Sequence, residues 1–203
     1  MTIEIKELRK EDYSYAIEFA IQGMNFDQYI SNKSLLYMYG KYFLYLELER
    51  SSQIIAAYMD DKLVGLLLAD MNKASKIKLN FWQKSYLKIV NLVVKTFFKD
   101  ATTPYDSINR DMLEKYKQKM TPEGEICFLA ADPSIKGQGI GTKLLDELKT
   151  REKGKEIYLF TDSNCTYQFY DHRNFIRSEE REIQIKIDKK EIPITCFLYS
   201  KKL

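Results

Sequence analysis

The chain has 203 residues, 45% of them hydrophobic and 13% aromatic, with 32 basic against 29 acidic side chains and a net charge of +3. This is enough apolar material for one sizeable core and too little length for two ordinary domains, so a single domain over 1–203 is expected. Lysines and carboxylates are interspersed along the chain as a whole, which leaves no basic stripe of the kind that nucleic-acid binding needs.

Three cysteines (Cys127, Cys165, Cys196) stand far apart, in odd number and without a CxxC pair, and His172 is the only histidine. That excludes a disulfide framework and a structural zinc site, and no metal is expected. The opening MTIEIKELRKEDY carries no apolar run after its charges, so it is no secretory signal. No stretch approaches the ~20 apolar residues that span a bilayer. The cytoplasm is the expected location.

Ile3, Ile5 and Leu8 predict a short opening strand. Between Glu11 and Met24, Tyr13, Ala16, Ile17, Ala20 and Met24 recur at helical spacing, and Leu35, Tyr39, Tyr42, Phe43 and Leu46 do the same over Ser34–Glu49. QIIAAYM and LVGLLLA, parted by Asp60-Asp61-Lys62, predict a hairpin of two buried strands. The stretch from about 71 to 121 breaks this pattern. Its first helix runs from Phe81 to Phe98, with Trp82, Tyr86, Ile89, Val90, Val93 and Phe97 assigned to one face. A second is expected over Ser107–Lys119, with Pro104 and the threonines before it marking the break. After Gly124 come a buried strand (GEICFLAAD) and a helix over Gly141–Thr150 with Ile140, Leu144, Leu145 and Leu148 inward. EIYLFTD is another strand and Asn164–Arg173 a short helix. Two final strands follow, joined at Asp188-Lys189-Lys190, with Ile183, Ile185 and Ile187 inward. The order is that of one mixed α/β (α+β) domain with a helical insertion.

The most informative segment is Asp132-Pro-Ser-Ile-Lys136-Gly137-Gln138-Gly139-Ile140-Gly141-Thr142, which follows a buried strand and opens an amphipathic helix. Three alternating glycines leave backbone N–H groups free to converge, and the helix N-terminus adds partial positive charge. Such a turn suits a phosphate or pyrophosphate, with Lys136 and Lys143 beside it; a tight strand-to-helix connection explains the glycines equally well. The spacing is G-x-G-x-G rather than the dinucleotide G-x-G-x-x-G, and Thr142-Lys143 follow Gly141 in the wrong order for a Walker loop.

The segment resembles the signature of the GNAT superfamily of N-acetyltransferases, [RQ]-x-x-G-x-[GA] after a strand ending in L-A-V-x-P. Here Leu129-Ala130-Ala131-Asp132-Pro133 precedes Lys136-Gly137-Gln138-Gly139-Ile140-Gly141, with Lys136 in place of Arg or Gln. Farther on, Phe169-Tyr170-Asp171-His172-Arg173-Asn174-Phe175 is similar to the family's F-Y-x-x-x-G-F. Asn174 stands in the glycine position, and Asn tolerates the left-handed conformation required there. The likeness covers most of the chain outside 71–121. It implies a mixed, mostly antiparallel sheet flanked by helices, with acetyl-CoA as cosubstrate. The acceptor implied is an amine on a small molecule or a protein.

The resemblance also assigns roles. The strand at Leu129, Ala130 and Ala131 should splay from its neighbour and free backbone groups for the pantetheine arm and thioester carbonyl. Lys136, Gly137, Gln138, Gly139, Ile140, Gly141 and Thr142 should hold the pyrophosphate, and Asn164 the arm. Tyr170 is the expected general acid, since a phenol of pKa near ~10 can protonate a thiolate of pKa ~8–9. Tyr167, one helical turn earlier, is the substitute. Glu125 alternates in phase with Cys127, Leu129 and Ala131 and is the candidate base, although a strand-end carboxylate is ordinary and a water chain can serve instead. Cys165 reads as a small apolar filler and His172 as a surface residue. The insertion is expected to roof the acceptor cleft, to form a homodimer contact, to meet a membrane surface, or simply to cover the sheet. A CoA-binding module without turnover is the alternative to an enzyme.

Overall fold

A computed structural model describes residues 2–28, 30–97, 103–187 and 190–203. The predicted hairpin consists of β2 (Gln53–Met59) and β3 (Lys62–Met71), paired antiparallel. Asp60 and Asp61, with φ of 48° and 59°, make its turn. Two consecutive left-handed residues match the twist of the flanking strands, and Asp bears that conformation better than most side chains do. The opening strand β1 (Glu4–Lys6) pairs along β2, and β4 (Gly124–Ala131) along β3. Beyond lie β5 (Glu156–Asp162), β6 (Ile176–Ile187) and β7 (Lys190–Lys202), giving the order β1-β2-β3-β4-β5-β7-β6. Only β4 and β5 run parallel, as their crossover through a helix requires.

Helices cover both faces. On one, α1 (Tyr13–Gly23) and α2 (Lys33–Arg50) pack over β2–β4 around Ala20, Leu44, Leu48, Leu66 and Phe128. The opposite face carries α5 (Ile140–Arg151), and its predicted apolar stripe of Ile140, Leu144, Leu145 and Leu148 is buried there. The short helix α6 is one turn, Gln168–Asp171, rather than the longer Asn164–Arg173 expected. Asn174 ends the turn at φ 57°, as the sequence pattern required.

The insertion contains α3 (Phe81–Phe97) and α4 (Thr103–Lys117). Pro104 lies in the first turn of α4 rather than in a break. The first turn is where proline's missing N–H costs nothing, so the helix starts earlier than Ser107. Met112 and Tyr116 of α4 bury against Ile194, Cys196 and Leu198 of β7, which extends the α1–α2 layer over the far half of the sheet. The single apolar face assigned to α3 divides in two. Tyr86, Leu87 and Val90 turn inward, whereas Trp82, Ile89 and Val93 are exposed. The side chains of Phe97, Ile185 and Ile187 and the turn at Asp188-Lys189 lie outside the described residues.

Candidate active site

The central feature is the divergence of β4 from β5. The two strands pair only at Gly124–Ile157 and Glu125–Tyr158, so from Ile126 onward the β5-facing edge of β4 has no strand partner. The splay therefore starts three residues before the expected Leu129. A β-bulge accompanies it: Leu68 pairs with Phe128 but Ala69 with Ile126, leaving Cys127 as the extra residue. A bulge reverses the alternation of side chains beyond it. Ile126, Leu129 and Ala131 accordingly pack in the α5-side core, and Cys127, Phe128 and Ala130 in the α2-side core.

This overturns the phase assigned to Glu125. Its carboxylate lies on the α2 side, paired with Arg50 and accepting a 2.9 Å hydrogen bond from the Tyr158 hydroxyl. Arg50 also pairs with buried Glu47 at 3.4 Å. Burial pushes the Glu47 carboxyl up to about 7, the neighbouring charge of Glu125 acting in the same direction and Arg50 against it. Burial pushes the Cys127 thiol up to about 12. Glu47 and Arg50 were not legible as partners of Glu125, being ordinary charges near the end of an amphipathic helix.

At the other end of β4 the chain turns into α5. Gly137 and Gly139 have φ of 82° and 75°, and a Cβ at either would meet nothing within 4 Å. Their constraint is therefore conformational: φ is left-handed, and the space around them is open. Gly139 is the N-cap of α5, has no side-chain cap, and the first turn has no acidic residue. Among the described residues the N–H groups of Ile140, Gly141 and Thr142 meet no protein acceptor, the arrangement that favours an anion. Lys136, Gln138 and Gly139 are exposed, Ile140 is buried, and Thr142 is half-buried. Gly141 has a different reason to be glycine, because its Cβ would lie 2.8 Å from the Phe169 ring.

Phe169 belongs to α6, and through it the loop and the second motif meet. Tyr170 stacks near Phe169, Phe175 and Tyr199 with ring centroids 5.3, 5.4 and 5.8 Å away. Leu129, Ala131, Tyr167, Phe169 and Tyr170 all border the same core. Among the described residues the Tyr170 hydroxyl has no hydrogen-bond partner, and burial raises its pKa, so the phenol is held protonated. Cys165 is half-buried and its thiol is pushed up to about 12, chiefly by burial, in keeping with a filler. His172 is exposed. The Asn164 carbonyl accepts from the Asn25 side chain at 2.9 Å, tying the α1–α2 connection to the β5–α6 loop beside the splay.

Sequence reasoning passed over Arg173, which occupies a variable position of its motif. The guanidinium donates from Nε to the Thr142 hydroxyl at 2.9 Å and lies 4.1 Å from the centre of the Phe169 ring. It adds a fixed cation beside the first turn of α5. The structure thus brings together Leu129, Ala131, the glycine loop, Thr142 and Tyr170, and leaves Glu125 at the closed end of the strand, three rungs or about 10 Å along the sheet from Leu129.

The Acetyltransferase (GNAT) family profile matches residues 22–175, about three quarters of the chain. The chain belongs to the GNAT acetyltransferase family. No curated protein matches it. Among solved structures it is similar to the PaiA N-acetyltransferase of Thermoplasma acidophilum in complex with coenzyme A, at 17% identity over all of both chains and a TM-score of 0.54. It is also similar to an N-acetyltransferase of Staphylococcus aureus Mu50, at 14% identity over 100% of this chain and 99% of that one, with a TM-score of 0.53. Arabidopsis thaliana Naa50 in complex with the bisubstrate analogue CoA-Ac-MVNAL matches over all of both chains at 14% identity and a TM-score of 0.52. At these identities the likeness is one of fold, and the seven-stranded mixed sheet is that of GNAT proteins. GNAT acetyltransferases use acetyl-CoA, and the open glycine loop before the first turn of α5 fits a pyrophosphate. No helix among the described residues is long and apolar enough to cross a membrane.

Proposed function

We propose that this GNAT chain is an acetyl-CoA-dependent N-acetyltransferase in which a primary amine attacks the thioester directly. One observation carries the reading. The edge of β4 that has no strand partner runs from Ile126 into an open glycine turn, and a phenol without a hydrogen-bond partner among the described residues borders the same core. In this reading the backbone of Leu129, Ala130 and Ala131 holds the pantetheine arm and polarises the thioester carbonyl. Lys136 to Thr142 hold the pyrophosphate, with Arg173 supporting Thr142, and Asn164 meets the arm.

Tyr170 protonates the departing thiolate. Its raised pKa does not weigh against that role, because the same apolar surroundings disfavour both anions and make the thiolate a stronger base as well. Glu125 enters as a positioning residue, since its carboxylate is already engaged by Arg50 and Tyr158. The acceptor amine then loses its proton to water.

The test is a thermal-shift titration with acetyl-CoA, followed by free-thiol release on a panel of small-molecule and peptide amines. Stabilisation together with amine-dependent thiol release is expected. Stabilisation without thiol release on any amine would favour a CoA-binding module, and no stabilisation would remove both readings.

A further inference from the structure

Lysines and carboxylates are interspersed over most of this chain, with one exception. Residues 72–97 contain six lysines (73, 76, 78, 84, 88 and 95) and no Asp or Glu. The remaining residues have 26 Lys and Arg against 29 Asp and Glu, so the whole excess of positive charge resides in this segment. Lys76 is engaged by Asp70 and the Arg50 carbonyl. No ion pair is formed by Lys78, Lys84 or Lys88 among the described residues, although Glu49 shares a shallow groove with Lys84 and Lys88.

The helix bearing these lysines is firmly built. Asn80 and Gln83 cap α3 reciprocally, each side chain accepting from the other's backbone N–H at 2.9 Å. One face is fixed to α2: Leu87 and Val90 are buried, the Tyr86 hydroxyl donates to the Met38 carbonyl at 2.8 Å, and Lys41 sits 4.7 Å from the centre of the Tyr86 ring. The opposite face is apolar as well and is left uncovered. Phe81 is 74% exposed, Trp82 79%, Ile89 65% and Leu92 69%. At 100° per residue these four and Val93 fall within one third of the helix circumference, and Lys84 and Lys88 line one border of that stripe.

We infer that α3 is an interfacial helix that docks this face of the protein onto an anionic lipid surface. Two properties favour that occupant. An outward row of Trp, Phe, Ile and Leu bordered by lysines, with no carboxylate on the helix, combines acyl-chain burial with attraction to anionic headgroups. A second copy is disfavoured because two lysine-only segments would face each other, and a nucleic acid gives aliphatic Ile89 and Leu92 nothing to bury against. The covering of one sheet face expected of the insertion falls instead to α4, while the inner side of α3 packs on α2.

Trp82 is the only tryptophan, which supplies a direct probe. Its emission should shift to the blue when the full-length protein meets vesicles of phosphatidylcholine mixed with phosphatidylglycerol, and change little with phosphatidylcholine alone. Ile89→Asp or Leu92→Asp should abolish the shift while leaving the circular dichroism unchanged. The milder Leu92→Ser, which should weaken it, guards against misfolding. Lys84→Ala and Lys88→Ala should each lower partitioning about 5-fold at low salt. An unchanged emission with anionic vesicles would overturn the inference, as would equal shifts on neutral and anionic vesicles. So would a vesicle-independent shift that tracks dimer mass, or binding to an oligonucleotide without binding to vesicles.

Discussion

The two halves of β4 share one strand and one core yet have opposite chemistry. Gly124 and Glu125 are paired on both sides, and the side chain there is absorbed by protein: Glu125 by Arg50 and Tyr158, with Glu47 beside them. From Ile126 to the first turn of α5, backbone groups on one edge have no partner among the described residues, and neither has the neighbouring phenol. The bulge at Cys127 separates the two regimes. In the proposed site, the family motif is thus only half; the other half is the failure of β4 to pair with β5. Buried backbone groups are normally satisfied, so an unpaired edge beside a core marks a place kept for a ligand.

The open half should be the more sensitive to change. Gly139→Val fills the space before α5 and forces a β-branched residue into a left-handed conformation. It should remove two or three charge-assisted hydrogen bonds of about 1.5–3 kcal/mol each, lowering acetyl-CoA affinity about a hundredfold or more by calorimetry. Wild-type affinity would break the assignment of the open half to the cosubstrate.

Tyr170→Phe keeps the ring packing and deletes only the hydroxyl. Turnover should fall about 10- to 1000-fold with acetyl-CoA affinity little changed. Unchanged turnover would leave the open half a binding site with the acid elsewhere.

The closed half should respond in stability and with pH. Glu47 is raised from its ordinary 4.5 to about 7 in the folded chain. Below 4.5 it is protonated folded and unfolded alike, so its contribution is fully present there. As pH rises the unfolded chain loses this proton first, and stability falls until the folded carboxyl ionises near 7. Urea denaturation should show a loss of up to about 3 kcal/mol from this group between pH 4.5 and 7.5, and Glu47→Gln should flatten it. A profile unaltered by Glu47→Gln would remove the contrast between the halves.

Much of this was legible in the chain. The glycines at 137 and 139 announced a turn that only positive φ allows, and Asn174 announced the end of α6 for the same reason. The alternation of α5 gave its buried stripe residue by residue. What periodicity could not convey was the bulge. One extra residue reverses every side chain beyond it, so the in-phase reading of Glu125 with Leu129 was correct as arithmetic and wrong in space. Nor could it divide α3, because a helix with apolar residues on two faces has the same composition whichever face is covered.

By itself the sequence determined the family, the glycine turn, the order of the elements and the tyrosine beside them. Each of these rests on local stereochemistry or on a run of neighbouring residues. Tertiary structure alone decided where β4 leaves β5, which charges surround Glu125, that Arg173 supports Thr142, and which face of α3 stays bare. Each of those depends on groups far apart in the chain meeting in space, and no spacing along the sequence records that meeting.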